Sequence, residues 1–270
     1  KVVVNVVKSE SHLLFLISTA VSGACLLSIL AILSFLKIYP LPYDFTNQQL
    51  FTPLGSLLDQ AIYLGILLPI ALFGALPLAK IKSFKEITGK MAAFTVSSII
   101  VAIGFILTVY ELVVMQKPLL LPFETGFQTA FAAISQDAGR TLYGFLFGSG
   151  FGTYAIDFTR FKQAAYNINP TLWSFTFFRS SSFIMELLAT TGVLGITAFI
   201  LLILKVIKNG ASSKKTKNPF FISVLLLVIA SFLLPFSFTV YALLFLLLGL
   251  FAAFQGLKES SSYFDVEFQF

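Results

Sequence analysis

Three arginines, Arg140, Arg160 and Arg179, carry the plainest chemical signal in this chain. All three fall within the segment 111–182, while the basic residues elsewhere are lysines. A guanidinium presents a planar fork that matches two phosphate oxygens, where an ammonium offers only a point charge. Three forks in one segment therefore read as a grip on a phosphate or pyrophosphate. The plainer alternative has them paired with Asp137 and Asp157, or lying on lipid headgroups. Glu186 follows Ser182 by four residues at the start of an apolar run. An acid at membrane depth is costly and is a functional candidate by default, unless it is solvated or paired with Arg179. Asp59, Glu111 and Glu124 stand near the ends of apolar runs and read as solvated.

Gly148-Ser-Gly-Phe-Gly152 has the spacing of a phosphate-cradling loop. No buried strand precedes it and no Lys-Ser/Thr follows, so a tight turn between closely approaching backbones is the simpler reading. The single cysteine, Cys25, excludes an intrachain disulfide and a cysteine zinc site; the single histidine, His12, excludes a multi-histidine metal site. No metal and no cofactor is expected.

The elements that must position these groups follow from composition. Of 270 residues, 57% are hydrophobic and only 11% are charged. A soluble domain carries about 25% charged residues. So little charge cannot cover a water-facing surface, which excludes soluble enzymes, nucleic-acid-binding modules and disordered chains. The expected fold class is an all-α polytopic membrane protein, with membrane lipids as partners. The net charge of +6 then reports topology more than a polyanionic partner.

Charge-free runs mark the spans: Leu13–Leu36, Ala61–Ala79, Met91–Tyr110, Leu187–Leu204 and Pro219–Leu257. The last is long enough for two helices turning at Pro235, which makes six. Lysines at 80, 82, 85 and 90, and at 205, 208, 214, 215 and 217, put those segments inside the cell. Both termini are then cytoplasmic, and segments 37–60 and 111–182 lie outside. The chain divides into a cytoplasmic segment 1–12, three spans in 13–110, an external loop 111–182, three spans in 183–257 and a tail 258–270. The first run is long enough to span and is no cleavable signal. The start at Lys1 and the alternating residues 263–270 read as a piece of a longer chain.

Segment 111–182 is too apolar for disorder and too long for a plain connection. Phe127, Phe131 and Ile134 share one helical face, which predicts an interfacial helix within a short helical subdomain. Trp173 reads as an interfacial anchor. Pro69 and Pro77 can kink the second span, and the otherwise charge-free spans argue against a transporter.

The stretch Asp137-Ala-Gly-Arg-Thr-Leu-Tyr-Gly-Phe-Leu-Phe-Gly-Ser-Gly-Phe-Gly-Thr-Tyr154 resembles the O-antigen ligase and O-antigen polymerase superfamily. In that family an arginine precedes a short helix and a Gly-x-Gly-x-Gly-like turn. After a variable loop come His-Asn (or Ser/Gln), nine residues and Gly-x-x-Gly. Here Ser181-Ser182, nine residues and Gly192-Val-Leu-Gly195 keep that spacing. Phe51-Thr-Pro-Leu-Gly-Ser56 is similar to a further family segment.

The resemblance implies a multi-helix glycosyltransferase of the bacterial inner membrane. Such an enzyme moves a glycan from an undecaprenyl-pyrophosphate carrier to an acceptor on the outer face, without metal or nucleotide. It implies pyrophosphate contacts for Arg140, Arg160 and Arg179, and a substrate loop at Gly148, Gly150 and Gly152. Ser181 stands at the family's histidine position, and serine is no base near pH 7 without a partner. Glu186 or Asp157 would then supply the base. The arginine usual ahead of the upstream segment is replaced by Thr46-Asn-Gln-Gln49. The alternative is a catalytically inactive relative serving as a membrane scaffold or a glycan- or lipid-binding protein. The family's larger helix count implies that further helices precede residue 1.

Overall fold

The computed structural model describes residues 3, 7, 9–48, 50–75, 89–115, 117–136, 141–170, 172–212 and 219–258. Every regular element among them is helical. The chain runs α1 (Glu10–Phe35), α2 (Leu57–Ala75), α3 (Gly89–Tyr110), α4 (Phe123–Ser135), α5 (Thr141–Phe147), α6 (Tyr154–Phe161), α7 (Ala164–Ile168), α8 (Phe183–Ser212), α9 (Pro219–Leu233) and α10 (Phe238–Lys258). Five helices, α1, α2, α3, α8 and α10, are long and apolar enough to cross a membrane. A backbone without water must bond to itself, which is why such runs become helices.

The sixth expected span, α9, has 15 residues. At 1.5 Å per residue it extends about 22 Å, short of a hydrocarbon core of about 30 Å. The turn expected at Pro235 is where α9 and α10 part. The lysine-bearing connections 76–88 and 213–218, with Pro77 and the tail 259–270, lie outside the described residues.

Local chemistry sets the helix ends. The Ser9 hydroxyl accepts from the His12 N–H and caps α1. At the other end Lys37 takes φ 60°, and the Ile38 N–H returns to the Leu33 carbonyl, which closes the orphan carbonyls. Ser56 caps α2, its hydroxyl accepting from the Asp59 N–H at 3.2 Å. That cap starts α2 at Leu57, a full turn before the apolar run, and carries Asp59 into the helix.

Helix α2 is the centre of the bundle, in contact with α1, α3, α9 and α10. Leu64 and Leu67 are fully buried on it, and they join Val101, Val224, Leu227, Val240 and Leu247 in the main core. Small residues let the helices close: Gly104 of α3 lies against Ser28 of α1, and Gly65 of α2 lies under Phe105.

A second, smaller core holds α4 and α6 against α8. Its centre is Tyr154 and Phe158, and Phe158 meets Tyr166 and Phe177 edge-on at 5.6 and 5.2 Å. Segment 111–182 holds the helices α4 to α7, and the buried face of α4 is its small-residue face: Thr125, Gly126, Thr129, Ala130 and Ala133. Of the three residues expected on one face, Phe127 and Phe131 are exposed and stacked, but Ile134 is buried. Residues seven apart share a direction yet lie about 10 Å apart along the axis, so the two ends of one face meet different surroundings.

Helix α8 is broken. Gly192 sits at φ 65°, ψ −164°, a conformation open essentially to glycine alone. The break frees carbonyls one turn earlier, and the Gly148–Gly152 loop takes them. Ser149 N–H donates to the Ala189 carbonyl and Gly150 N–H to the Thr190 carbonyl, both at 2.9 Å. A β-carbon on Gly148 would stand 2.5 Å from the Thr190 carbonyl carbon, and one on Gly192 would stand 2.6 Å from the Gly148 nitrogen. Backbone meets backbone here, and only glycine fits on both sides.

Candidate functional site

An open pocket of about 650 Å³ lies where four chain segments meet: the start of α2, the stretch 118–121, the stretch 175–180, and the turn into α10. The start of α8 is tied to that turn, because Phe183 N–H donates to the Leu234 carbonyl at 3.0 Å. Most of the lining is apolar, from Leu54, Leu58, Leu119–Leu121, Phe175, Phe177, Phe178 and Phe238. Its charged side chains are Arg179 and Asp59.

Arg179 Nη1 stands 3.8 Å from Asp59 Oδ2, and the arginine side chain remains 43% exposed where the aspartate is 6% exposed. Asp59 is positioned by the Ser56 cap, and Ser237 of the α10 turn faces the same carboxylate. Its Oδ1 is buried without a hydrogen bond among the described residues. An acid in the first turn also sits favourably against the positive end of the α2 dipole. The expectation that Asp59 is solvated is thus corrected. The physical cause is the cap, which extends the helix beyond its apolar run and brings the carboxylate under the loops.

Glu111 is corrected as well: it is 2% exposed. It opens a π-helical turn, Glu111–Met115, that continues α3, and the wider turn keeps the helix running past the end of the uncharged stretch. Glu124 is exposed, as expected.

Ser181 and Glu186 fall outside the pocket lining. Ser181 is 3% exposed, its hydroxyl is pressed against Gly126 of α4, and it has no hydrogen-bond partner among the described residues. Ser182 instead caps α8, accepting weakly from Met185 N–H at 3.4 Å. Glu186 Oε1 accepts from the Tyr241 hydroxyl at 3.1 Å, and Oε2 is buried without a partner among the described residues. The ion pair considered between Glu186 and Arg179 is absent among the described residues; Arg179 reaches Asp59 instead and acts on Glu186 only through space.

Behind Ser180 lies a sealed group of hydroxyls, with Tyr154 beside Ser180 and Thr129. Burial pushes the Tyr154 phenol up to about 12, so it is neutral at any ordinary pH.

The remaining sequence candidates separate. Arg140 and Asp137 lie outside the described residues. Arg160 closes α6, its guanidinium 5.0 Å above the Phe161 ring, and lines a different cavity of about 530 Å³. The two cavities touch through Thr176, which lines both. Asp157 is buried, accepting from the Ser149 and Thr153 hydroxyls, so its carboxylate faces the glycine loop. Two N–H groups of the loop at Gly148, Gly150 and Gly152 are spent on α8, which fits a structural turn and leaves no phosphate cradle from them.

Sequence reasoning missed Asp59, and the signal was the pattern Ser56-x-x-Asp59 just ahead of an apolar run. No group of three or more His, Cys, Asp or Glu side chains among the described residues is placed to share a metal ion. None of the family models, curated proteins or solved structures compared with this chain matches it.

Proposed function

We propose that this protein is an O-antigen ligase-like glycosyltransferase of the bacterial inner membrane, its five long helices joined in the membrane by the shorter α9 as a sixth. It takes a glycan from a polyprenyl-pyrophosphate carrier in the pocket bounded by Arg179 and Asp59. The observation that carries this reading is the half-exposed Arg179, facing Asp59, in a mostly apolar pocket of about 650 Å³. Pockets for single ligands run to about 300–1,000 Å³, with a few placed polar groups in an apolar wall. An amphiphile with one anionic head suits such a wall.

The pocket lies at the end of α2 remote from the lysine-bearing connection 76–88. Under the positive-inside rule that end faces outward.

In this reading the pyrophosphate takes the Arg179 fork and loosens its contact with Asp59. As the bond between the anomeric carbon and the pyrophosphate oxygen breaks, Arg179 neutralises the charge gathering on the leaving group. The acceptor hydroxyl forms the new bond to that carbon, and its proton passes to the released Asp59 carboxylate. Asp59 thereby takes the part that Ser181, held against Gly126, is badly placed to play.

Undecaprenyl pyrophosphate titrated onto the detergent-solubilised protein tests this. Saturable binding that falls about tenfold in Arg179→Lys, which keeps the charge and loses the fork, is the expected result. Asp59→Asn keeps binding and loses transfer of glycan to an acceptor. Absent binding, or binding indifferent to Arg179, overturns the reading.

The second reading, an inactive scaffold or glycan-binding relative, is favoured by the sealing of Ser181 and the pairing of Arg179 with an acid. Binding without transfer in the unmodified protein would establish it.

A further inference from the structure

Arg179 lines the larger pocket from a stretch with little hold of its own. Residues 175–182 lie outside any helix. Among the described residues, the N–H groups of 176–182 donate no backbone–backbone hydrogen bond. Side chains must therefore fix this stretch if the guanidinium is to keep one place.

Behind it stands Glu186, in the first turn of α8. The Ser180 N–H faces the Glu186 carboxylate, and Arg179 acts on that carboxylate through space. Oε1 of the same group accepts from the Tyr241 hydroxyl at 3.1 Å. The stretch is thus tied, through Glu186, to the opening turn of α10.

Tyr241 is itself held firmly. Its ring meets Phe183 and Phe236 edge-on at 5.1 and 6.1 Å, and those two rings stack on each other at 5.0 Å. Rings alone would pin α8 to α10, and an acid set among them costs free energy unless its bond serves a purpose. The same turn of α10 presents Ser237 to Asp59. One frame therefore sets both sides of the Arg179–Asp59 pair, whose nearest atoms are 3.8 Å apart.

We infer that Glu186 is a positioning residue: held by the Tyr241 phenol, it fixes the Arg179–Ser180 backbone so that the guanidinium stands opposite Asp59. It lies outside the pocket lining and does not touch the ligand. When a pyrophosphate loosens Arg179 from Asp59, this anchor keeps the fork at the pocket wall. That role in binding rests on the carrier-lipid reading above; the hold on Arg179 does not.

The test reads Arg179 directly. The whole chain in detergent is treated with phenylglyoxal, and modification of Arg179 is followed by mass spectrometry. Tyr241→Phe keeps every ring contact and loses the bond to Glu186; it should raise the Arg179 rate about threefold, as should Glu186→Ala, while Arg160 keeps its rate. Tyr241→Phe serves alone where Glu186→Ala does not fold. Glu186→Gln keeps an accepting oxygen and stays close to the unmodified rate. The double variant reacts no faster than either single one, since both break one link. An unmodified rate in Tyr241→Phe overturns the proposal. So does equal acceleration in Glu186→Gln and Glu186→Ala, which would make the effect one of charge alone.

Undecaprenyl pyrophosphate titrated onto the same variants should bind about fivefold more weakly in Tyr241→Phe and normally in Glu186→Gln. Carrier binding that needs Arg179 but ignores Tyr241 and Glu186 overturns the anchor and leaves the carrier-lipid reading intact. Faster modification of Arg179 in Tyr241→Phe, with no carrier bound by the unmodified protein, supports the anchor and ends that reading.

Discussion

Arg179 and Ser181 stand two residues apart and end in opposite surroundings. The arginine reaches into an open pocket, while the serine hydroxyl is sealed against Gly126 without a partner. In a straight extended strand, residues two apart face the same way. Here the chain bends through 178–179 and again at 181–182 as it enters α8, and the alternation is lost. The contrast separates two kinds of polar residue. Arg179 and Asp59 are polar where a ligand can arrive; Ser181, Tyr154 and Thr129 are polar where only their neighbours can reach them.

The largest effect expected is loss of the frame that keeps the two regions apart. Gly192→Ala forces a β-carbon into a glycine-only conformation and onto the Gly148 backbone. A cost of about 3 kcal/mol or more follows, read as a fall in thermal stability in detergent. Wild-type stability in that variant would show that the loop and α8 are not packed as described. Next is the loss of carrier-lipid binding in Arg179→Lys, which strikes the open side alone.

Ser181→Ala should do far less. It removes a buried hydroxyl that has no partner, so stability should shift by about 1 kcal/mol or less, and binding and transfer should be retained. Loss of transfer in this variant would return the chemistry to the sealed side and break the comparison.

A further effect is alkaline. The Tyr154 phenol ionises near 10.0 in an unfolded chain and at about 12 when buried. Its neutral form therefore stabilises the fold fully below pH 10, and this contribution is lost as pH rises towards about 12. Tyr154→Phe should flatten the decline in melting temperature over that window. An unchanged decline would show that the phenol is not buried as an acid.

Much of the fold was legible because spans in a membrane are written in composition. The absence of charge from long runs predicts helices, and Pro235 marks the last turn. Legibility failed at the ends of those runs. Asp59 and Glu111 lie beyond the uncharged stretches, and a span counted from charge to charge leaves them in water. A cap at Ser56 and a π-turn at Glu111 extend the helices past that boundary and bury both acids. The candidate site was half legible. Residue type marked Arg179 only together with Arg140 and Arg160, and not which acid would stand opposite it.

The sequence by itself determined a helical, membrane-embedded chain, the approximate position of each long helix and the arginines that are candidates to meet an anion. Those properties depend on side-chain type and local periodicity, which need no knowledge of neighbours. Only the tertiary structure decided that Arg160 and Arg179 line separate cavities, that Asp59 lies beneath Arg179, and that the glycine loop bonds to the broken α8. Each depends on contacts between segments far apart in the chain, and the geometry of helix packing is what brings such segments together.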